Sequence, residues 1–169
     1  DLHTHTSCSD GALTPDELLA HAEAAGVSHL AITDHDTVDA YDALTRPSAL
    51  TIIPGVEFSS QWSNIGIHIL GLGIDPAASV MREASRIQRD LRIDRALRIA
   101  ESLRRSGLPD LWEAVCERAK GRAPARPHFA AELVARGIAK HSAAAFKRYL
   151  GKGKPGNVRT DWPAMPGVV

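Results

Sequence analysis

The chain has 169 residues, of which 44% are hydrophobic, and its 20 Lys and Arg balance 20 Asp and Glu. This length supports one domain with a sizeable core and room for a subdomain. A net charge of zero argues against a large non-specific nucleic-acid surface, although it leaves room for local basic patches. Two cysteines do not make a secreted disulfide scaffold, and no apolar run is long enough to span a membrane. We therefore expect a cytoplasmic protein without a membrane partner.

The first predicted strand carries two histidines, His3 and His5, on alternate positions. Residues two apart on a strand lie on one face, roughly 6.5–7 Å from each other, so both imidazoles can approach one metal ion. Asp10, just after this strand, can add a carboxylate. A polar strand edge facing solvent would give the same pattern, and this run alone does not decide between the two interpretations.

A helix is predicted after this first cluster, and both of its ends are marked in the sequence. Thr14 is a natural N-cap, Pro15 takes the first helical position, and Glu17 completes a capping box. Gly26 is typical of a helix end. With the strand that follows, residues 1–36 are predicted to form a β-loop-α-β unit.

A second polar cluster, Asp34-His35-Asp36, follows a predicted strand at residues 29–32. Open α/β folds place their chemistry at the carboxyl ends of their strands, which is where this triplet lies. Two separate His/Asp clusters at strand ends favour a metal site over surface decoration.

The next two predicted strands each contribute one further candidate ligand. Glu57 follows the strand at residues 50–53 in an apolar stretch, where a lone carboxylate is costly unless it is paired or binds a metal. A structural salt bridge is the alternative for Glu57. His68 lies inside the strand at residues 65–73, and a satisfied core histidine is its alternative. The neighbouring clusters favour a metal role for both.

From residue 79 onward the apolar spacing changes to the helical period, and it continues to residue 150. We expect this all-helical block to be an insertion subdomain. Two of its segments are basic. Arg126 and His128 lie at a predicted helix start, which is a ready anion site, and Lys152 and Lys154 lie in a glycine-rich loop. Both segments could hold phosphate, or they could be a capping segment and a solvated linker.

The chain resembles the PHP (polymerase and histidinol phosphatase) family of metal-dependent phosphoesterases through an ordered set of motifs: His3-Thr4-His5, Asp10-Gly11, Thr33-Asp34-His35-Asp36, Pro54-Gly55-Val56-Glu57 and Ile67-His68-Ile69. Further segments resemble its small bacterial members, a branch with nucleoside 3′,5′-bisphosphate phosphatases and 5′–3′ exoribonucleases: Ser9-Asp10-Gly11, Thr14-Pro15, Arg126-Pro127-His128-Phe129 and Tyr149-Leu150-Gly151.

The resemblance implies an α/β fold, a distorted (β/α)7 barrel of TIM-like type, with two or three divalent ions (manganese, iron or zinc) at its strand ends. It implies six metal ligands: His3, His5, Asp10, His35, Glu57 and His68. Glu57 would bridge two ions, and Asp34 would be a nearby carboxylate grouped with His35 and Glu57 in the catalytic set. The implied contacts to substrate phosphate come from the helical block: Arg126, His128, Lys152 and Lys154.

The implied reaction is hydrolysis of a phosphate monoester by metal-activated water. The expected substrate is a small nucleotide, such as a nucleoside 3′,5′-bisphosphate, or the 5′ end of a short RNA. Two alternatives remain at this point, a histidinol-phosphate phosphatase and a non-catalytic PHP module of a larger nucleic-acid enzyme. The oligomeric state is left open by the sequence.

The resemblance also implies a domain organisation. Residues 1–78 would be the N-terminal part of the barrel with the metal ligands, residues 79–150 the helical insertion, and residues 151–169 the return to the barrel. The family pattern has a later His-Pro and a later Asp-x-His, and neither follows Trp162. We therefore expect the sequence given to lack the C-terminal part of the barrel.

Overall fold

The computed structural model describes residues 1–63 and 65–167 of the chain. It divides into two compact units, of which the first contains Asp1–Arg89 and the residues from Trp162 on, and the second contains Asp90–Asp161. The predicted domain organisation, with boundaries after residues 78 and 150, stays a prediction. No helix of the described residues is both long and apolar enough to cross a membrane.

The first unit is built on a mixed sheet flanked by helices, which gives the chain an α/β fold. Its elements in chain order are α1 (Pro15–Ala24), β1 (His29–Ile32), α2 (Asp39–Ala43), β2 (Thr51–Trp62), β3 (Ile65–Leu72) and the start of α3 (Ser79–Arg105). The sheet order in the described part is β1-β2-β3, with β1 and β2 parallel and β2 and β3 antiparallel.

The predicted first strand is wrong, because the opening segment does not form a regular ladder. It runs beside β1 with one isolated bridge, between Thr4 and Ile32. Ala31 N also donates to Asp1 O at 2.8 Å, and the Asp1 amino group donates to His29 O at 2.7 Å. Thr4 O accepts from Thr33 N at 2.8 Å. Pairing stops at Thr6, whose N–H donates to the Asp34 carboxylate at 2.7 Å instead of extending the ladder. The described sheet therefore has three strands, preceded by one extended segment.

The prediction for α1 is confirmed at both ends. Thr14 Oγ1 accepts from Glu17 N at 3.3 Å, and the Glu17 carboxylate accepts from Thr14 N at 2.8 Å. Pro15 is the first helical residue, and Gly26, with φ +73°, follows the last turn. Leu19 is fully buried and packs with residues of β1 and β2 in one apolar cluster. This packing fixes α1 against the sheet.

A tyrosine hydroxyl joins β1 and β2 where their parallel ladder is interrupted. Ile32 pairs with Pro54, which has no N–H to donate. Tyr41 Oη donates to Ile32 O at 2.5 Å and accepts from Gly55 N at 2.6 Å. Burial raises the pKa of Tyr41 to about 12, so the phenol stays protonated as a donor. Tyr41 thus links the end of β1, which precedes His35, to the part of β2 that precedes Glu57.

We expect Tyr41→Phe to lower the free energy of unfolding by about 1–2 kcal/mol, because it leaves a carbonyl and an N–H of buried residues unpaired. Urea unfolding of the variant and the wild type measures this difference directly. A loss below about 0.5 kcal/mol would place the change among ordinary surface substitutions and contradict the linking role.

The second unit is helical and has its own core. It contains the C-terminal part of α3, α4 (Trp112–Ala119), α5 (Arg126–Ala135), α6 (Ser142–Ala145) and a π-helical turn, Phe146–Leu150. Fully buried side chains from these elements form one cluster that includes Leu103, Val115, Phe129, Leu133 and Leu150. The helical spacing predicted from residue 79 to residue 150 is confirmed by α3 to α6 and the π-helical turn.

A buried carboxylate ties α4 to α5 inside this unit. Glu132, which is 6% exposed, accepts from Arg136 Nε and Arg118 Nε at 2.6 Å each. The hydrogen bonds from Arg136 and Arg118 hold the pKa of Glu132 below its usual value, so the carboxylate is ionised at neutral pH. It is a structural ion pair between a nearly buried carboxylate and two partly exposed guanidinium groups.

Candidate metal centre

Four imidazoles surround one nearly buried carboxylate, that of Glu57 on β2, which is 7% exposed. Its Oε2 lies 2.7 Å from His3 Nε2 and 3.0 Å from His5 Nε2. Its Oε1 lies 2.5 Å from His68 Nδ1 and 3.8 Å from His35 Nδ1. Glu57 is therefore the centre of the cluster.

Strand geometry explains why these side chains converge. In the antiparallel register His68 lies opposite Ser59, and Ser59 shares a face of β2 with Glu57, so His68 is a diagonal neighbour of the carboxylate. His35 forms a parallel bridge with Glu57 just beyond the end of β1. His3 and His5 sit on alternate positions of the extended segment, and both reach Glu57.

Asp10 adds a second carboxylate beside two of the histidines. Its Oδ1 lies 3.7 Å from His5 Nδ1, and its Oδ2 lies 4.0 Å from His35 Nε2. The loop that carries Asp10 folds back tightly, because Gly11 N donates to Thr6 O at 2.9 Å. A side chain at Gly11 would place a Cβ 2.3 Å from His5 O, so only glycine fits there.

Asp34 holds this loop from behind. It is 1% exposed, and its two carboxylate oxygens accept from Thr6 N at 2.7 Å, Thr6 Oγ1 at 2.6 Å and Ser9 Oγ at 2.5 Å. These bonds connect the end of β1 to the turn that leads to Asp10. Because it accepts three hydrogen bonds from the loop, the Asp34 carboxylate stabilises the loop conformation.

The donor set fits divalent metal ions. Three overlapping groups bring their ligand atoms within 4.8 Å of one another: His3, His5 and Glu57; His5, Asp10 and His35; His35, Glu57 and His68. His5 Nδ1 is buried without a hydrogen-bond partner in the described part of the chain. The distance of 3.7 Å between His5 Nδ1 and Asp10 Oδ1 is too long for a hydrogen bond. It is a distance at which both atoms can bind one metal ion. Mixed imidazole and carboxylate donors suit manganese, iron or zinc.

The electrostatics of the cluster favour an ionised Glu57. Burial alone would raise the pKa of Glu57, but the hydrogen bond from His3 and the charges of His35 and His68 outweigh it and hold the pKa below its usual value. The rings are tightly grouped, with centroids 4.6 Å apart for His5 and His35 and 4.7 Å apart for His35 and His68. An anionic carboxylate amid imidazole nitrogens is a natural cation site.

Comparison with known proteins identifies the family. The model of the PHP domain matches residues 1–122 of the chain, which contain all six clustered side chains. The chain belongs to the PHP domain family. The resemblance noted in the motifs is confirmed.

Several PHP-type relatives are similar over nearly the whole chain. The 5′–3′ exoribonuclease Rnm of Salmonella typhimurium is 46% identical over 96% of this chain and 57% of its own length. The 3′,5′-nucleoside bisphosphate phosphatase of Chromobacterium violaceum is 36% identical over 100% of this chain and 61% of its own length. A structure from Bifidobacterium adolescentis, described as a metal-dependent phosphoesterase, superposes with a TM-score of 0.86 at 28% identity, over 99% of this chain and 60% of its own. The chain thus spans about three fifths of the length of these relatives.

The predicted phosphate-binding residues all lie in the second unit of this PHP chain. Arg126 is the first residue of α5. His128 Nδ1 accepts from Ala125 N at 2.9 Å, so its ring caps the start of α5. Lys152 and Lys154 are exposed in the loop after the π-helical turn. Within the described part of the chain, no carboxylate forms an ion pair with Arg126 or with either lysine.

Sequence reasoning missed the polar residues that support the six clustered side chains. Thr6 and Ser9 bind Asp34, while Ser59 binds Asp36 and accepts from Gln88. The signal available for Thr6 and Ser9 was their position beside the candidate ligands, in a run of short hydroxyl residues. Ser59 and Gln88 carry no such local signal, because their contacts lie far along the sequence.

Proposed function

We propose that the protein is a metal-dependent phosphoesterase that hydrolyses a phosphate monoester of a small nucleotide or of a short RNA 5′ end. The observation that carries this proposal is the convergence of six metal-type ligands on and around Glu57. The two relatives are named as an exoribonuclease and a nucleoside bisphosphate phosphatase, and these names support a nucleotide substrate for this chain. A nucleoside 3′,5′-bisphosphate is the first candidate.

Each clustered side chain has a proposed role. His3, His5, Asp10, His35, Glu57 and His68 would hold two or three divalent ions (manganese, iron or zinc). When bound, such ions neutralise phosphate charge and lower the pKa of a bound water. His5, His35 and Glu57 each belong to two of the three ligand groups. A carboxylate has two donor oxygens, so Glu57 would bridge two neighbouring ions. Asp34 would keep the Asp10 loop in place.

Water is the proposed nucleophile, rather than a side chain of the protein. A Ser28 Oγ to His29 Nδ1 contact of 3.0 Å exists, but it is exposed and lies at the start of β1. The proposed ligand His35 follows the opposite end of that strand. A covalent serine mechanism would need its base near the reacting phosphate.

We also propose the finer fold, a distorted (β/α)7 barrel with its metal centre at the strand ends. The parallel pairing of β1 with residues 51–54 of β2 supports this arrangement, because His35 follows β1 and Glu57 follows the paired part of β2. Residues 79–150 would be the helical insertion, and residues 151–169 would return to the barrel. A crystal structure of the protein tests it through the number and order of strands around the site.

Substrate phosphate is proposed to contact the second unit through Arg126, His128, Lys152 and Lys154. A guanidinium at the start of α5 combines a fixed positive charge with the helix N-terminus. His128 already accepts through Nδ1, so only its other ring nitrogen could face phosphate. The exposed lysines sit on a glycine-containing loop that can adjust to an anion.

We expect Arg126→Ala to lower kcat/KM for adenosine 3′,5′-bisphosphate by about tenfold or more, because a charge-assisted contact to the second phosphate is lost. AMP, which has one phosphate, should be hydrolysed at a rate within about twofold of wild type. The matched control is Lys140→Ala, which removes an exposed positive charge of the same unit. Equal losses on both substrates would contradict a clamp for the second phosphate.

The test of the proposed function is phosphate release by the metal-loaded protein from four compounds. These are adenosine 3′,5′-bisphosphate, AMP, a short 5′-phosphorylated RNA and histidinol phosphate. The proposal expects metal-dependent release from the bisphosphate or the RNA, which stops when a chelator is added. Release from histidinol phosphate alone would favour the histidinol-phosphate phosphatase, and bound metal without any release would favour a non-catalytic module.

A further inference from the structure

Asp36 follows the proposed ligand His35 and adopts a backbone conformation that few non-glycine residues adopt. Its φ is +58°, in the left-handed region. Asp and Asn tolerate this region better than most residues, but it persists only where surrounding contacts enforce it. Asp36 is also 2% exposed. The left-handed backbone and the burial of a carboxylate at one residue call for a structural explanation.

Three hydrogen bonds of Asp36 reach the strand segment that contains Glu57. Its Oδ1 accepts from Ser59 N at 2.5 Å and its Oδ2 accepts from Ser59 Oγ at 2.7 Å. Its own N–H donates to Glu57 O at 3.1 Å. On the other side of His35, Asp34 O accepts from Glu57 N at 3.1 Å. Four hydrogen bonds therefore connect residues 34–36 with residues 57–59.

A further bond fixes Ser59 from the helix side. Gln88 Nε2, on α3, donates to Ser59 O at 2.7 Å, and Gln88 is 2% exposed. Ser59 is thus held through its N–H, its hydroxyl and its carbonyl, two residues beyond Glu57. Glu57 and Ser59 share a face of β2, so displacement of Ser59 would move the carboxylate that the imidazoles surround.

We propose that Asp36 is a positioning residue that holds His35 and Glu57 in register for metal binding, through its bidentate contact with Ser59. This inference rests on the proposed function, because it assumes that His35 and Glu57 are ligands. The left-handed turn aims the Asp36 side chain back at β2 while His35 points into the cluster. The left-handed backbone of Asp36 therefore makes its contact with Ser59 possible, and that contact in turn stabilises the left-handed backbone.

Three variants separate these parts. Asp36→Gly keeps the left-handed backbone accessible but removes the side-chain bonds. Ser59→Ala removes the hydroxyl partner from the other side. Asp36→Asn tolerates positive φ, accepts from Ser59 N–H through its carbonyl oxygen, and donates to Ser59 Oγ through its amide. The control is Asp39→Asn, which removes an exposed carboxylate nearby in the same unit.

The first measurement is the dissociation constant of Mn²⁺ for the protein, by titration of the metal-free form. Because groups that orient ligands typically change metal affinity by about 10–100-fold, we expect Asp36→Gly to weaken binding by about tenfold or more. Ser59→Ala should weaken it in the same direction, and Asp36→Asn and Asp39→Asn should stay within about threefold of wild type. Metal affinity within twofold of wild type for folded Asp36→Gly would overturn the proposal, as would an equal loss for Asp36→Asn.

The second measurement needs no metal. Hydrogen exchange of the metal-free protein should show faster exchange at the amides of Glu57 and Ser59 in Asp36→Gly, with unchanged exchange in the helical core of residues 90–161. Unchanged exchange at both amides would overturn the proposal. If wild-type protein binds no Mn²⁺, the proposed metal centre fails while this measurement still tests the hydrogen bonds of Asp36, so the two failures are distinguishable.

Discussion

Glu57→Gln is expected to abolish activity while leaving the protein folded. Glutamine has nearly the same size and can still hydrogen-bond to the neighbouring imidazoles, but it cannot supply an anionic carboxylate shared by two groups of ligands. We expect Mn²⁺ affinity to fall by about 100-fold or more, and phosphate release to fall by about 1000-fold or more. Metal titration and release from adenosine 3′,5′-bisphosphate measure the two effects.

The matched control for this variant is Glu132→Gln, which changes the other nearly buried glutamate that binds several partners. It should lower the free energy of unfolding by about 2 kcal/mol, because a charged partner of Arg118 and Arg136 is lost. Metal affinity should not change, since Glu132 belongs to none of the ligand groups. A Glu57→Gln protein that binds Mn²⁺ as tightly as wild type would contradict the central role of this carboxylate.

Asp34→Ala should have the second largest effect, on stability and metal affinity together. It leaves the N–H and hydroxyl of Thr6 and the hydroxyl of Ser9 without their common acceptor, and Thr6 is fully buried. We expect the free energy of unfolding to fall by about 3 kcal/mol or more. The Asp10 loop would loosen, so metal affinity should fall by about tenfold or more. Urea unfolding and Mn²⁺ titration check the two losses.

Asp34→Asn distinguishes support of the loop from participation in chemistry. The amide of the new asparagine can accept from Thr6 N–H and donate to a hydroxyl. The variant should therefore be more stable than Asp34→Ala, and its metal affinity and activity should lie within about fivefold of wild type. If Asp34→Asn is stable and loaded with metal but inactive, the carboxylate takes part in the reaction itself. That result would contradict the purely supporting role that its hydrogen bonds indicate.

The candidate metal ligands could be selected from the sequence because each one follows a local pattern. His3 and His5 alternate, His35 follows a short buried strand, and Glu57 is an acid in an apolar stretch. None of these inferences needed a contact between distant parts of the chain. The α1 boundaries were predictable for the same reason, since a capping box involves residues only three apart.

The supporting contacts could not be predicted, because they depend on tertiary structure. Thr6 meets Asp34 across 28 residues, and Asp36 meets Ser59 across 23. The prediction of a first strand was wrong for a related reason. Local alternation favoured a full strand, but the Thr6 N–H finds a better acceptor in the Asp34 carboxylate than in a continued ladder. The role of Tyr41 could not be predicted for the same reason. Its hydroxyl accepts and donates hydrogen bonds at the point where Pro54, in the neighbouring strand, has no N–H to donate.

Anomalous diffraction from crystals of the Mn²⁺-loaded protein tests the central claim most directly. We expect at least two anomalous peaks within about 2.0–2.3 Å of ligand atoms in the cluster, with the Glu57 carboxylate contacting more than one of them. A map without peaks beside Glu57, from protein that binds Mn²⁺ in solution, would contradict the assignment of these six side chains as the metal centre.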